Sequence, residues 1–574
     1  MTETITDRAP DTHSDWPLRP WALAAILACA GLGVHFAAEW GSNDWAPWRA
    51  ALTAALVFGP LAFAFTLDRE RWKEPLGFAV LVALVMAGIA WRVAGAGDRH
   101  ADAPFWFAAG VVAIALALPL FQAGFHSLRW RTPYDATHFH VWTDAISAAG
   151  ALAFTGLAWL LLFLLSLLFA AIEIDLLKDL IEEEWFGWTF SGGAFGAALG
   201  VLRNQLKVIG TLQSVVMLVF SIIAVPFALA LAIFLVAVLA SGLAVLWNAT
   251  ESPTPLLLSV AVASFVLVNA VVRNGEEEAS ANRVLRWAAL ALALAIFPLA
   301  LLAAISTGTR IAQYGLSPER IWGVIAVGVA VAYGLAYFIA PIRGRMAGWM
   351  ARVRMANMHL AVGTCVLAFL LALPLFDFGA MATKNQLARL ESGKVAVEDF
   401  DFDALRWDFG DAGREALAKL AGSKDAETAT LAKEAQERER RPYRWQNNDR
   451  DEREARMANL RTDIPEGRLR DAVEAEVRDN VWICAKPCVV LDLGPSEEGG
   501  HIVAFVEEGQ VGKRVLAAPP SQREEGDKLS VGLQLPADFD LKPPQQSAES
   551  KVEIREWTGR RVYIDGKPAG QPFE

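Results

Sequence analysis

The feature that most constrains this chain is a series of apolar stretches that fills about the first two thirds of its sequence. An α-helix rises about 1.5 Å per residue, so roughly 20 apolar residues match the hydrocarbon core of a bilayer. The stretches lie approximately at 21–38, 50–67, 75–94, 105–126, 145–170, 188–203, 211–245, 254–272, 288–308, 320–340 and 357–376. The pattern predicts a mainly α-helical fold, a polytopic transmembrane bundle of about eleven spans.

The composition is typical of a membrane protein and excludes one class of partner, nucleic acid. Hydrophobic residues make up 54% of the chain, and the mean hydropathy is +0.32. The net charge is -11 and most of the acid follows Ala380, so the chain offers no clustered basic surface of the kind that binds nucleic acid. Membrane lipids are therefore expected partners and nucleic acid is not. No cofactor, metal or nucleophile motif occurs in a supporting context, so we predict no cofactor, no metal and no catalytic residue.

Basic loops predict the orientation of the bundle, because an excess of arginine and lysine beside a span marks the cytoplasmic side. Four arginines from Arg343 to Arg354 precede the last predicted span, and loops 68–74 and 273–286 carry three cations each. Placing all three loops in the cytoplasm requires the weak, glycine-rich stretch 188–203 to cross the membrane. The N-terminus is then cytoplasmic and the C-terminal region lies outside.

One apolar segment is too long for a simple span. As a single helix, 208–247 would be roughly 60 Å long, about twice the hydrocarbon thickness, and Pro226 lies inside it. It is either one kinked helix that extends past the membrane or a hairpin that reverses near Pro226. The hairpin would supply the missing crossing if 188–203 is only re-entrant.

The expected domain order follows from the fall in hydropathy after Ala380. Residues 1–20 are predicted to form a cytoplasmic tail and 21–379 the membrane domain. Residues 380–480 are predicted to form the helical part of an exoplasmic domain, and 481–574 a small, mostly antiparallel β module. The soluble part is thus predicted to have an α+β fold.

The clearest local signal is the turn between Arg310 and Arg320. Gly315 can take the left-handed conformation that ends one helix, and Ser317 and Pro318 suit the start of the next. A purely structural turn explains these residues, but it explains less well why arginines flank the turn, since Arg at a span end is costly unless it reaches water or a partner. The alternative is an anion or lipid-headgroup site, whose residues are Arg310, Gln313, Tyr314 and Arg320.

This turn and a second stretch carry a resemblance to a known family. The second stretch follows the last span and comprises Gln386–Leu390, Gly393–Lys394 and Asp401–Leu405. Together with the span order, the two stretches resemble a multi-spanning bacterial family called domain of unknown function 4153. The resemblance implies a bacterial inner-membrane location, and the family supplies no established activity to carry over. The motif residues on the soluble side are Gln386, Arg389, Leu390 and Gly393.

Two other groups invite a chemical interpretation. Cys484 and Cys488 lie in the part predicted to be exported, where oxidation is permitted, and a disulfide that braces the first strand is favoured. His138 and His140 could ligate a metal, but spacing by two residues suits a strand or loop rather than one helix face.

Three functions fit this sequence. The first is a noncatalytic envelope protein whose exported domain binds, senses or organises a periplasmic partner. The second is a transporter or lipid-translocating protein with a site near Pro226, and the third is a membrane enzyme on a lipid-linked anionic substrate. The large exported domain favours the first. The sequence indicates no oligomeric state.

Overall fold

The computed structural model describes residues 16–39, 46–242, 253–441, 450–480, 482–496, 500–507, 510–516, 552–557, 559–564 and 566–573. The chain divides into two compact units, Met1–Glu437 and Arg438–Glu574. The helices of the first unit are α1 Arg19–Glu39, α2 Pro47–Thr66, α3 Lys73–Ala96, α4 Ala103–Gln122, α5 Phe125–Leu128, α6 Tyr134–Ala170, α7 Leu176–Glu182, α8 Glu184–Asn204, α9 Leu206–Ser241, α10 Pro253–Val272, α11 Arg283–Tyr314, α12 Pro318–Ala372, α13 Phe378–Glu391, α14 Phe402–Trp407, α15 Gly410–Ala421 and α16 Ala426–Glu437.

Within the described residues, ten helical segments are long and apolar enough to cross a membrane. They are α1 to α4, α6, α9, α10, α11 and two arms of α12, Pro318–Gly344 and Gly348–Ala372. The chain is therefore a mainly helical, multi-pass membrane protein. The glycine-rich stretch 188–203 also forms a helix, α8, but it is not among these ten.

The long apolar segment forms one helix over its described part, which ends at Gly242. α9 continues through Pro226 without reversing and has 36 residues. Ala224 and Ala228 are buried in a core shared with α10 and α11, and the Ser221 hydroxyl donates to the Ala270 carbonyl at 3.1 Å. A proline removes one helical hydrogen bond, which neighbouring spans can tolerate, so the hairpin alternative is wrong.

α8 lies antiparallel to α1 along most of its length, and glycines allow the close approach. A Cβ on Gly192 would lie 2.2 Å from the Leu27 carbonyl oxygen, and one on Gly196 would lie 2.3 Å from that of Leu23. Gly200 meets the Pro20 backbone in the same way. Small residues let two helix backbones pack this closely. α8 therefore occupies the same depth of the bundle as α1.

α12 folds back on itself. A straight helix of 55 residues would be about 82 Å long, and residues 20 positions apart would be separated by about 30 Å. Yet the Tyr337 hydroxyl donates to Asn357 Oδ1 at 2.6 Å, and Ile321 shares a core cluster with Leu371. A Cβ on Gly344 would lie 2.7 Å from the backbone nitrogen of Trp349, which places the reversal there. The two arms thus form an antiparallel pair, as the two predicted spans require.

The span ends collect at two opposite ends of the bundle. At the first, which we call the basic end, Gln122 Nε2 donates to the Phe65 carbonyl at 2.8 Å and Arg354 Nη2 donates to the Val272 carbonyl at 2.7 Å. At the second, the collar end, Arg92 Nη1 donates to the Ala372 carbonyl at 3.0 Å. The three arginine-rich segments recognised in the sequence all lie at the basic end.

Helices α13 to α16, the collar, belong to the first unit and have their own apolar core. Leu405, Leu417 and Ala432 are fully buried in it. α13 ends at Glu391, and Gly393, two residues later, has a φ of +67°. The Gly393 amide donates to the Leu390 carbonyl, and the Lys394 amide donates to the Arg389 carbonyl. This is a Schellman cap, and it accounts for the motif glycine.

The second unit contains helices and strands that pack around a core of their own. Its described elements are α17 Arg450–Asn459, β1 Leu460–Thr462, α18 Arg468–Asp479, β2 Cys488–Pro495, β3 His501–Glu507, β4 Gln510–Leu516, β5 Val552–Trp557, β6 Gly559–Ile564 and β7 Lys567–Phe573. β1 to β4 form one sheet, antiparallel except for the β1–β2 pair, and β5 to β7 form a second, antiparallel sheet. Valine, isoleucine and leucine side chains from both sheets form one cluster.

Candidate functional site

The turn between α11 and the first arm of α12 has the local structure that its sequence predicts. Gly315 has a φ of +75°, and its amide bonds to the Ile311 carbonyl at 2.8 Å. The Ser317 side chain accepts the Arg320 amide at 3.3 Å and caps the following helix, whose first turn contains Pro318. α11 therefore ends and α12 begins within a few residues.

The Arg320 side chain folds back over this turn. Its Nη1 donates to the Gly315 carbonyl at 2.9 Å and to the Tyr314 carbonyl at 3.3 Å. The guanidinium carbon lies 5.5 Å from the centroid of the Tyr314 ring, a cation–π distance. Arg320 thus satisfies carbonyls that the end of α11 leaves without helical partners.

Side chains of the collar also donate hydrogen bonds to this turn. On α13, Arg389 Nη1 and Nη2 donate to the Ala312 and Gln313 carbonyls at 3.1 and 2.5 Å. Gln386 Nε2 donates to the Tyr314 and Leu316 carbonyls, both at 2.9 Å. We call these contacts the clamp. They bring together the two stretches that carry the family resemblance.

The clamp also explains why residue 315 is glycine beyond its backbone conformation. A Cβ there would lie 2.7 Å from Gln386 Nε2 and 2.8 Å from Arg389 Cδ. The Leu316 amide completes the contact by donating to Asn385 Oδ1 at 2.9 Å. A side chain at position 315 would therefore have to displace Gln386 and Arg389 from their places in the clamp.

The predicted anion-site residues surround the clamp without converging on one point. Gln313 and Tyr314 are exposed and Arg310 is half-buried. The fourth residue, Arg320, directs its guanidinium to backbone carbonyls. In chemical terms the arrangement holds a helix end in position, and Arg320 uses its Nη1 group for two of the carbonyls at that end.

A second set of contacts ties the collar to the loop between α3 and α4. Arg414 Nη2 donates to the Asp98 carbonyl at 2.9 Å. Gly410, with a φ of +66°, lies against the Arg99 backbone so closely that a Cβ would be 2.3 Å from its carbonyl oxygen. The collar is thus held at two separate points on the bundle.

Asp102 lies beside this second contact and is almost fully buried. Its Oδ2 accepts the Trp106 indole N–H at 3.0 Å, and the Arg92 guanidinium lies 3.2 Å from the centroid of the same indole ring. Burial raises the pKa of the Asp102 carboxyl; the hydrogen bond from Trp106 opposes this effect, and the nearby Asp377 carboxylate adds to it. A buried carboxyl with a raised pKa therefore lies beside the second collar contact.

Sequence reasoning missed a buried polar network at the basic end, because Tyr337 lies in an apolar stretch. The Asn269 amide donates to the Tyr337 hydroxyl at 2.8 Å, and Tyr337 donates to Asn357. Asn357 Nδ2 donates to Asn269 Oδ1 at 2.7 Å and to the Tyr134 hydroxyl at 3.2 Å. The network joins α6, α10 and both arms of α12. The only sequence signal was that two asparagines and a tyrosine occur near predicted span ends.

With this geometry in place, comparison with known proteins identifies the family. A family model described as a domain of unknown function, DUF4153, matches residues 21–420. The chain belongs to the DUF4153 family. No curated protein and no solved structure matches it. The resemblance inferred from the two stretches is thereby confirmed.

The DUF4153 match contains both sides of the clamp. It covers the α11–α12 turn, all of α13 and most of α15, and it ends before α16. The first unit extends to Glu437, so the match and the compact unit nearly coincide. The DUF4153 match therefore includes α13, α14 and nearly all of α15, whereas α16 of the collar lies outside it.

Other residues singled out in this DUF4153 chain have separate surroundings. His138 Nδ1 donates to Asn274 Oδ1 at 2.5 Å, and its Nε2 accepts the Trp142 indole N–H at 3.2 Å. Both ring nitrogens are thus engaged, which leaves none for a metal in this arrangement. In the described part of the chain, no three His, Cys, Asp or Glu side chains are arranged to hold a metal ion.

Cys484 and Cys488 are joined by a disulfide and are both buried, with their Cα atoms 5.1 Å apart. Cys488 is the first residue of β2. The bridge therefore lies at the start of the first long strand of the second unit.

Proposed function

We propose that this DUF4153 chain is an integral protein of the bacterial inner membrane, without catalytic activity, whose exported C-terminal region binds, senses or organises a periplasmic partner. The clamp is the observation that carries this proposal. Its hydrogen bonds run from collar side chains to the backbone of a span end, so the collar keeps one position on the bundle. A rigidly held soluble platform suits binding and organising better than a chemical step.

The proposed topology has eleven spans, with α8 as the additional one. The packing of α8 along α1 supports this count, since a helix that runs beside a span over its length lies in the same layer. The contacts at both ends of α8 agree: Trp188 meets Gly31, far along α1, whereas Asn204 Nδ2 donates to the Trp16 carbonyl at 2.8 Å. With eleven spans, the N-terminus and the collar lie on opposite sides.

The orientation follows from charge. The basic end carries the arginine-rich segments, and the positive-inside rule favours the cytoplasm for them. The collar, at the opposite end, is then periplasmic. This side also permits the disulfide of the second unit to form.

The alternative functions receive less support. A transporter site at a helix broken near Pro226 does not suit α9, which is continuous. An enzyme with Arg310 and Arg320 as an anion clamp is less favoured because Arg320 already uses its Nη1 group to hold two backbone carbonyls of the turn.

Cysteine labelling on intact spheroplasts tests the topology. In a variant without native cysteines, single probes replace Lys178, Glu277 and Lys424, which are all exposed. A membrane-impermeant thiol reagent should label the probes at 178 and 424 but not the one at 277. If α8 does not cross, the probes at 277 and 424 exchange behaviour while 178 stays labelled, and the exported-collar proposal fails.

Photo-crosslinking tests the function itself. A photoreactive residue is placed at Glu427 of the collar, and cells are irradiated with and without the Arg389→Met substitution. We expect an adduct with a defined exported protein that weakens when the clamp is lost. Adducts with lipid alone, or adducts indifferent to Arg389, would contradict a partner-binding collar.

A further inference from the structure

The basic end exposes an aromatic pair at the point where the α4–α6 loop meets the second arm of α12. The rings of Trp130 and His359 stack with centroids 5.2 Å apart and an angle of 12° between their planes. Trp130 nevertheless remains 61% exposed. The pair thus presents an aromatic face at the level of the span ends.

Arginines lie close to this pair along the chain. Arg129 and Arg131 flank Trp130 in sequence, and all three residues are exposed. Arg352 lies seven residues before His359, which is two turns away on the same face of the helix. Two acids lie in neighbouring segments: Asp135 at the start of α6, and Glu74, whose Oε2 is 3.8 Å from His126 Nε2.

Apolar surface lies between the charges. Met355, one turn from His359 on the same face, is 65% exposed, and its carbonyl accepts the His359 Nδ1 hydrogen at 2.8 Å. Leu128 is 41% exposed beside Arg129. The surface therefore combines guanidinium groups with aliphatic and aromatic area.

This combination matches one chemical class. Guanidinium groups bind phosphate in a bidentate manner, and an indole ring favours the headgroup layer of a membrane. Methionine and leucine at the same level suit the first methylenes of acyl chains. A soluble phosphate compound would use the charges but not the apolar area.

We propose that this surface binds one anionic phospholipid, with the phosphate among Arg129, Arg131 and Arg352 and the acyl chains against Trp130 and Met355. The site goes beyond the proposed function, and it does not depend on which end of the bundle faces the cytoplasm.

Native mass spectrometry of the purified full-length protein tests the proposal. The protein is equilibrated with phosphatidylglycerol or phosphatidylcholine of matched chains, and retained lipid is counted. The site variant carries Arg131→Gln and Arg352→Gln; Arg129 is kept because its φ of +54° is already unusual. Each cation near an anionic lipid contributes roughly fivefold in affinity, so the preference for phosphatidylglycerol should fall about 25-fold.

The matched control removes two exposed arginines from another part of the basic end, as Arg283→Gln and Arg286→Gln. It should keep its preference within about twofold. An equal loss in the control would show diffuse charge attraction and overturn the site. The proposal also fails if the site variant keeps the wild-type preference, or if excess inorganic phosphate displaces the lipid.

Discussion

Arginines beside the spans have two kinds of surroundings although their sequence contexts are similar. Arg320 and Arg389 at the collar end donate to backbone carbonyls of one turn, as Arg354 does at the basic end. Arg131 and Arg352, also at the basic end, are exposed. An arginine beside a span therefore does not mark an anion site by itself. What matters is whether the fold has already given its guanidinium a partner.

The largest expected effect comes from filling the space at the centre of the clamp. Gly315→Ala introduces a left-handed alanine, costing about 1 kcal/mol, and overlaps with Gln386 and Arg389, adding about 2 kcal/mol. We expect a destabilisation of about 3 kcal/mol, measured by thermal unfolding followed through tryptophan fluorescence, and faster proteolysis of the collar. Gly323→Ala is the control, because a Cβ there meets nothing within 4 Å and the residue is helical. Equal thermal midpoints for Gly315→Ala and Gly323→Ala would show that the clamp contacts do not restrict position 315.

Removing the clamp arginine should cost less. Arg389→Met keeps the aliphatic stem but leaves the Ala312 and Gln313 carbonyls bonded to water or to no partner. This should lower the free energy of unfolding by about 2 kcal/mol. The same measurement on Arg352→Met serves as the comparison at the basic end. If Arg389→Met and Arg352→Met have the same thermal midpoint, the proposed difference between a carbonyl-bonded and an exposed arginine is wrong.

The buried carboxyl at the second collar contact should make stability depend on pH. Because burial raises the folded-state pKa of Asp102, the folded protein binds its proton more readily than the unfolded chain. Proton binding by Asp102 therefore stabilises the folded protein fully at a pH below the ordinary carboxyl pKa. This stabilisation is lost as the pH rises through the raised pKa of the folded state. Asp102→Asn should therefore melt higher than wild type at neutral pH, and this advantage should shrink on acidification.

Melting curves from pH 4 to pH 8 check this, with Glu434→Gln, at an exposed acid of the collar, as the control. His100, Asp377 and Arg92 also surround the site and are left unchanged. An Asp102→Asn advantage that is the same at every pH would exclude titration of Asp102 as its cause.

The smallest expected effect on stability is at the basic end. Arg131→Gln together with Arg352→Gln removes exposed charges and should change the unfolding free energy by less than about 0.5 kcal/mol. The thermal midpoint should stay near that of wild type while lipid preference falls. A large loss of stability would mean that these arginines hold the fold, as Arg389 does.

Much of the membrane part could be predicted from the sequence. Hydropathy placed the spans because a bilayer requires apolar helices of a set length, and this requirement does not depend on which helices pack against a span. The Gly315, Ser317 and Pro318 turn was also predictable, since its conformations are local properties. A loop containing Arg343 to Arg354 was predicted between the last two apolar stretches, and α12 reverses there.

Other features depend on contacts between distant residues. The composition of α8 is too weak to identify a span by itself. Loop charge predicted that it crosses, and its packing along α1 is a contact between distant residues that supports this prediction. Tyr337 looked like any aromatic residue of an apolar stretch, but its partners come from α10 and the other arm of α12.

The sequence by itself determined that this is a multi-pass helical protein of the DUF4153 family with a polar C-terminal region. Hydrophobic length, loop charge and local turn chemistry are properties of short segments, so they can be read one segment at a time. Only the tertiary structure decided that Gln386 and Arg389 hold the α11–α12 turn while Arg131 and Arg352 stay exposed. The partner of a guanidinium is set by which distant backbone the fold brings within hydrogen-bonding distance, and no local pattern encodes that distance.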